Sequence, residues 1–273
     1  MNELAGTVAL VTGASRGVGR GVVLALAQQG AAVYFTGRTV QEGEGTVRLP
    51  GSLQRTEQDA RAQGGTATGL QCDHTDDDQT RAVIERIQHD HGRLDLLVNN
   101  VWGGYEHYFD GTPFWEERGF WTEPLNRWDR MFQAGVRAHY VTSSLAVPLL
   151  LRSERALVAT ISFIASGRVD MGVAYGAAKA ADDHMTACMA HELQPHGVAA
   201  LALHPGLVRT EGVVQSGAFD LSTSHSPELV GLVISALLRD PQLLQRSGQA
   251  LAVLRLAGEY GLSDLGGQPL PVE

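Results

Sequence analysis

The sequence predicts an α/β protein: one parallel sheet of about seven strands, doubly wound so that helices cover both faces, with residues 1–273 in a single domain. Three observations lead there. Short runs of consecutive apolar residues alternate along the chain with longer segments of helical period. The runs lack the polar alternation of a half-solvated strand, so they must be covered on both sides. The residues with chemistry to offer cluster where the runs end. Right-handed crossovers between parallel strands place helices above and below such a sheet. With 44% apolar residues, a chain of this length buries one substantial core without staples.

In order, the strand candidates are T-V-A-L-V-T-G from Thr7, A-A-V-Y-F-T-G from Ala31, T-A-T-G-L-Q-C-D from Thr66 and L-D-L-L-V-N-N from Leu94. They continue with R-A-L-V-A-T-I-S from Arg155, V-A-A-L-A-L-H-P-G from Val198 and Q-A-L-A-V-L from Gln249. Gly13, Arg38, Asp73, Asn99, Ser162 and Pro205 each end a run or follow one, which puts them at the carboxyl edge where open α/β sheets bind ligands. Two segments break the alternation. Residues 39–51 form a Gly-rich stretch before a helix expected to start near Ser52, and read as a tolerated surface insertion. Residues 101–127 form a second insertion; with Trp128 it holds nine of the seventeen aromatics and every tryptophan. It reads as a lid or binding wall, with packing against a partner subunit as the alternative.

The formal net charge of -9 and the lack of a basic run exclude a nucleic-acid partner. Neither a cationic leader nor an apolar stretch of membrane-spanning length is present, so a soluble, cytoplasmic protein with no membrane partner is expected. Cys72 and Cys188 lack metal or redox spacing and read as buried thiols in a reducing compartment. The ten histidines show no ligand spacing, and no metal site is expected.

T-G-A-S-R-G-V-G, from Thr12 to Gly19, lies between the first strand and the first helix. Glycines there let backbone approach a pyrophosphate, and the helix N-terminus offers free N–H groups to it. Gly13, Ser15, Arg16, Gly17, Val18 and Gly19 are therefore candidate dinucleotide contacts in a Rossmann-like fold. At the end of the second strand, where a carboxylate would bind the adenosine ribose of NAD, stands Arg38. With Arg16, it is expected to bracket the 2′-phosphate of NADP(H).

Lys179 is the only lysine in a chain with twenty arginines, and it lies four residues after Tyr175 at the start of a helix-period segment. The two share a helix face. An ammonium favours the phenolate form of a nearby phenol; at about 4 Å and an effective dielectric of about 20 the attraction is ~4 kcal/mol. Ser162, thirteen residues before Tyr175, is placed to hold a carbonyl oxygen while Tyr175 delivers a proton, with Ser166 as its rival.

Together, T-G-A-S-R-G-V-G, C-D-H-T-D, L-D-L-L-V-N-N, the spacing from Ser162 to Y-G-A-A-K, and H-P-G-L-V-R-T resemble the short-chain dehydrogenase/reductase family over about residues 5 to 255. F-W-T-E-P and W-D-R-M-F-Q-A-G-V-R-A-H-Y are most similar to its branch called dehydrogenase/reductase family member 1. The resemblance implies that Lys179 also binds the nicotinamide ribose and that Asp73 meets the adenine edge. It also implies that Asn99 lies by the adenosine ribose and that Pro205, Gly206, Val208 and Thr210 line the nicotinamide carboxamide. It implies a homodimer or homotetramer acting on a small-molecule carbonyl or alcohol. One position departs: where the family carries an asparagine that supports a water chain to the lysine, alignment on Trp128 and Asp129 puts Gly135. Glycine there leaves room for a backbone carbonyl and a water. His139, one turn on, is a candidate stand-in for the asparagine, although a lone histidine reads more readily as a packed or solvated residue. The expected activity is NADPH-dependent carbonyl reduction, run in reverse as alcohol oxidation; a slow NADP-binding sensor or scaffold is the alternative.

Overall fold

The computed structural model describes residues 2–45, 48–104 and 119–271. Most of the aromatic insertion, residues 105–118, and residues 46–47 of the Gly-rich one lie outside the described residues. Seven strands, all parallel, form one sheet: β1 (Val8–Val11), β2 (Ala32–Gly37), β3 (Thr66–Gln71), β4 (Leu96–Asn99), β5 (Ala156–Ile161), β6 (Val198–His204) and β7 (Ala250–Ala252). Their order is β3-β2-β1-β4-β5-β6-β7. All seven apolar runs are strands. The chain leaves β1 toward β2 on one side and returns to β4 on the other, so a crevice opens above the carboxyl ends of β1 and β4.

Alternate residues feed two cores. Ala9 and Val11 of β1 meet α1 (Gly17–Gln28), α2 (Leu53–Ala62) and α8 (Pro227–Arg239). Val8 and Leu10 meet α3 (Asp77–His91), α5 (Ala138–Leu150) and α6 (Val173–Leu193). Ser52 caps α2 by accepting from Arg55 N, as its place before the helix requires. α3 is capped by Asp76, whose carboxylate accepts from Asp78 N and Gln79 N. That leaves Asp73 free of capping duty at the end of β3. Helices α1 and α8 cross so closely that a Cβ on Gly21 would lie 2.3 Å from the Pro227 carbonyl carbon. This contact fixes the direction in which α1 presents its N-terminus.

Helix α4 (Leu125–Met131) runs through a π turn at Phe132–Arg137 directly into α5. Such a turn inserts one residue into the helical ladder and re-aims the side chains that follow. Among the described residues no helix is long and apolar enough to cross a membrane. Cys72 is buried as expected; Cys188 is not, because α6 carries it on the solvent side near His184.

Candidate functional site

The glycine turn after β1 is clamped by the end of β4. Thr12 Oγ1 accepts from Asn100 N at 2.9 Å and Val101 N at 3.2 Å, and Asn100 Nδ2 donates to the Thr12 and Gly13 carbonyls, both at 2.9 Å. Gly13 has φ +68°, and a Cβ there would sit 2.7 Å from Val101 Cα. Asn100 does this work unannounced by the sequence. Asn99, expected near the adenosine ribose, is fully buried, and its Nδ2 donates to Ser143 Oγ of α5 at 2.8 Å.

Gly17 opens α1 beside the loop that follows β6. There, Pro205 O accepts from His225 Nε2 at 2.6 Å, Gly206 has φ +76°, Val208 pairs with His225, and Thr210 caps the short helix α7 (Glu211–Ser216). Thr210 lies against Gly17, and Glu211 Oε2 accepts from Gly17 N at 2.8 Å. An anionic group thus sits on the amide of the glycine turn. That observation fits the turn to a phosphate: a carboxylate already uses the donor that a pyrophosphate oxygen needs.

Arg16, expected beside Arg38, is bonded to the segment before α2. Its Nε donates to Pro50 O at 3.0 Å and its Nη2 to Gly51 O at 2.8 Å and Thr39 Oγ1 at 3.4 Å. Burial pulls its guanidinium below the ordinary range, with Glu211 and Glu42 opposing and Arg38 adding to the fall. Arg16 staples the end of the 39–51 insertion onto the glycine turn. Gly51 is required at that contact, with φ +114° and a would-be Cβ 2.6 Å from Ser15 O. Arg38 stays at the open end of β2, half-exposed, with Nη1 4.0 Å from Asp73 Oδ2. Burial works against the charge of Asp73, yet bonds from Thr75 N and Oγ1 and the charge of Arg38 keep its carboxyl below the usual range.

Tyr175 and Lys179 lie one turn apart at the start of α6, and one indole ring touches both. Trp102 packs edge-on to Tyr175 with ring centroids 5.6 Å apart, and Lys179 Nζ lies 4.2 Å over the Trp102 ring. Two of the ammonium's three N–H groups go to Ile161 O at 3.1 Å and Asp182 Oδ2 at 3.2 Å. Ser162, just past β5, is buried; its hydroxyl donates to Lys179 O at 3.3 Å. Burial raises the Asp183 carboxyl, but the His204 ring, with Nε2 3.0 Å from Oδ2, works against it and the carboxyl stays below its usual range.

Gly135 packs against the same indole. A Cβ there would lie 2.9 Å from Trp102 Cε3 and Cζ3, so the indole takes the space that a side chain at this position would need. His139 is neither solvated nor a plain packing residue: it is buried, with Nδ1 2.9 Å from Asp182 Oδ1 and Nε2 2.9 Å from Val101 O.

A model of the short chain dehydrogenase family matches residues 7–219. The chain belongs to that family. It is 35% identical over 280 residues to dehydrogenase/reductase SDR family member 1 of Mus musculus, covering 97% of this chain and 85% of the relative. A crystal structure from Xanthomonas campestris superposes with TM-score 0.82 at 27% identity, covering 98% of this chain and 97% of that one. A metagenomic short-chain oxidoreductase solved in complex with NADP superposes with TM-score 0.70 at 26% identity, covering 92% and 97%. Short chain dehydrogenases are oxidoreductases that use a nicotinamide cofactor and act on small molecules. In this member, the glycine turn is tied to the end of β4 and to the loop after β6, and Trp102, just past β4, reaches both Tyr175 and Lys179.

Proposed function

We propose that this short chain dehydrogenase is an NADPH-dependent carbonyl reductase that also runs as an alcohol dehydrogenase. The observation that carries the reading is the shared contact of Tyr175 and Lys179, one helical turn apart, with Trp102 just past β4, which ties a phenol and an ammonium to one side chain at the carboxyl edge of the sheet. NADP(H) bound there supplies or accepts the hydride. The chain's residues do the rest. The glycine turn from Gly13 to Gly19 takes the pyrophosphate once Glu211 swings off Gly17 N, and Arg38 meets the 2′-phosphate with Asp73 beside the adenine edge. Pro205, Gly206, Val208 and Thr210 wall the nicotinamide end. Tyr175 gives its proton to the substrate oxygen during reduction and takes it back during oxidation, and Lys179 favours the phenolate that this exchange passes through. Ser162 turns its hydroxyl from Lys179 O toward the substrate oxygen. The apolar surface of Trp102, Phe163 and Tyr175 favours a bulky apolar carbonyl substrate, because such walls bind by burying area.

The test is NADPH oxidation by the purified protein across a panel of ketones, aldehydes and quinones. Turnover is expected, with Tyr175→Phe lowering it about 10²–10⁴-fold. Arg38→Asp is expected to weaken NADPH and spare NADH. Cofactor binding without turnover anywhere in the panel would make the protein a sensor; equal losses for both cofactors would remove Arg38 from the phosphate site.

A further inference from the structure

We propose that Asp182 and His139 are the positioning and charge-balancing support of Lys179: Asp182 holds the ammonium in place, and His139 offsets the carboxylate so that a net positive charge still faces Tyr175. Only the catalytic consequence rests on the reductase reading; the charge arrangement stands on geometry alone.

The geometry is a closed chain. Lys179 Nζ donates to Asp182 Oδ2 at 3.2 Å, Asp182 Oδ1 faces His139 Nδ1 at 2.9 Å, and His139 Nε2 faces Val101 O at 2.9 Å. Asp182 is 0% exposed, His139 1% and Lys179 6%, so no water screens these charges. Both partners of the imidazole, a carboxylate and a carbonyl, only accept. Both contacts are hydrogen bonds only if the ring carries two protons, which makes His139 a cation. One anion between two cations sums to one positive charge.

That sum matters for the phenol. A lysine paired with a carboxylate alone is a dipole, and its effect on a neighbour falls away with the two charges cancelling. With His139 charged, the cancellation is undone while the carboxylate still fixes the lysine. The support is needed on this side because Trp102 occupies the space beside Gly135, leaving α6's own next turn and α5 to hold the ammonium. Among the described residues, the other titratable groups around the chain are few. Tyr175 lies on α6. His74, after β3, acts on His139's surroundings but is itself neutral because burial pushes its ring down to about 4, with Asp73 beyond it. Asp183 and His204 pair on the neighbouring flank of α6. Ser162, Trp102 and Gly135 bring no charge.

The lone lysine makes the test direct. Growth on ¹³C-labelled lysine gives one side-chain signal, followed with pH in the cofactor-free protein for the wild type, His139→Asn, Asp182→Asn and the double variant. His139 must keep both ring protons through the lysine's transition for its charge to be felt there, and a ring that loses a proton first overturns the proposal. With the doubly protonated ring confirmed by its nitrogen-15 signals, the transition in His139→Asn moves to higher pH by about one unit, because an uncompensated carboxylate holds the ammonium proton. In the double variant it returns close to the wild-type position, which a purely structural role does not predict. A folded His139→Asn, or His139→Gln as the second neutral variant, with an unmoved transition overturns the proposal, as does a double variant that keeps the shift. In the wild type, the ring of His139, assigned by the loss of its signals in His139→Asn and so told apart from buried His225, whose two ring nitrogens also face carbonyls, must show two slowly exchanging N–H protons at about pH 7 by nitrogen-15 labelling; a single one overturns the proposal. In alcohol oxidation, the pH profile of kcat/KM moves to higher pH in His139→Asn and back in the double, while the cofactor KM rises where Asp182 is lost. If the lysine signals behave as expected and none of the four proteins turns over an alcohol with NADP, the charge support stands and the reductase reading falls.

Discussion

At the residue scale, the indole of Trp102 and the missing side chain of Gly135 belong together. The ring covers Lys179, leans on Tyr175 and takes the volume that a Cβ at position 135 would need. Gly135→Ala is therefore an overpacking change and is expected to lower stability by about 1–3 kcal/mol, with Gly135→Asn worse. Trp102→Leu makes room, so the Gly135→Ala, Trp102→Leu pair should couple in a double-mutant cycle by urea unfolding. Strictly additive losses would mean that the two side chains do not compete for space. The departure at Gly135 is legible in the sequence, but its reason is not. Nothing in V-W-G-G announces that the tryptophan folds back over a residue more than thirty positions away. The same holds for the two asparagines at the end of β4: adjacent residues of one strand end point to opposite faces, and packing alone decides that Asn99 enters α5 while Asn100 clamps the glycine turn. Asp182 also escapes a sequence reading, since K-A-A-D at i,i+3 looks like an ordinary surface ion pair until α5 brings His139 to it.

At the element scale, the site is a meeting of a helix start with a loop. Helix α1 buries a continuous run from Gly21 to Ala27 and is locked by α8, so its N-terminus cannot retreat, and its first amide is already bonded to Glu211 from the loop after β6. A dinucleotide phosphate and that carboxylate compete for one donor and repel each other. Glu211→Gln removes the charge, and a charge at a helix N-terminus contributes about 0.3–1 kcal/mol, so the variant is expected to bind NADP(H) roughly two- to fivefold more tightly by fluorescence titration. Unchanged or weaker binding would mean that Glu211 leaves the turn at no cost or contacts the cofactor itself. The glycine turn and its helix are read directly from T-G-A-S-R-G-V-G, because glycine spacing and the strand before it are local facts. Glu211 is invisible to that reading: it lies 194 positions away from the amide it occupies. The 39–51 insertion is likewise visible as a break in the strand and helix alternation, while its attachment through Arg16 depends on carbonyls at Pro50 and Gly51 that carry no sequence signal.

At the scale of the whole molecule, the seven strands were the most legible feature, since a strand covered on both faces has to read as an unbroken apolar run, and every such run became one. What the runs conceal is the polar residue buried between the layers. His74 lies 2% exposed between β2, α3 and α5, with Nε2 2.8 Å from Thr36 Oγ1 and Nδ1 3.2 Å from both Thr80 Oγ1 and Thr142 Oγ1. Burial, chiefly, and the charge of His139 push its ring down to about 4 from 6.5. The unfolded chain takes up this proton below pH 6.5 and the native protein only near 4, so the unfolded state binds more protons throughout that window and stability rises with pH across it. The stabilisation is fully present above 6.5 and drains as pH falls toward 4, by about 3 kcal/mol in all and about 2 kcal/mol by pH 5. Urea unfolding of the wild type at pH 7 and pH 5 should show that loss, and His74→Gln, which keeps hydrogen-bonding atoms but cannot titrate here, should lose about 2 kcal/mol less between the same two conditions. Parallel losses in the two proteins would assign the acid sensitivity to the paired carboxylates instead, and would mean that the threonines around His74 can accommodate a charged ring.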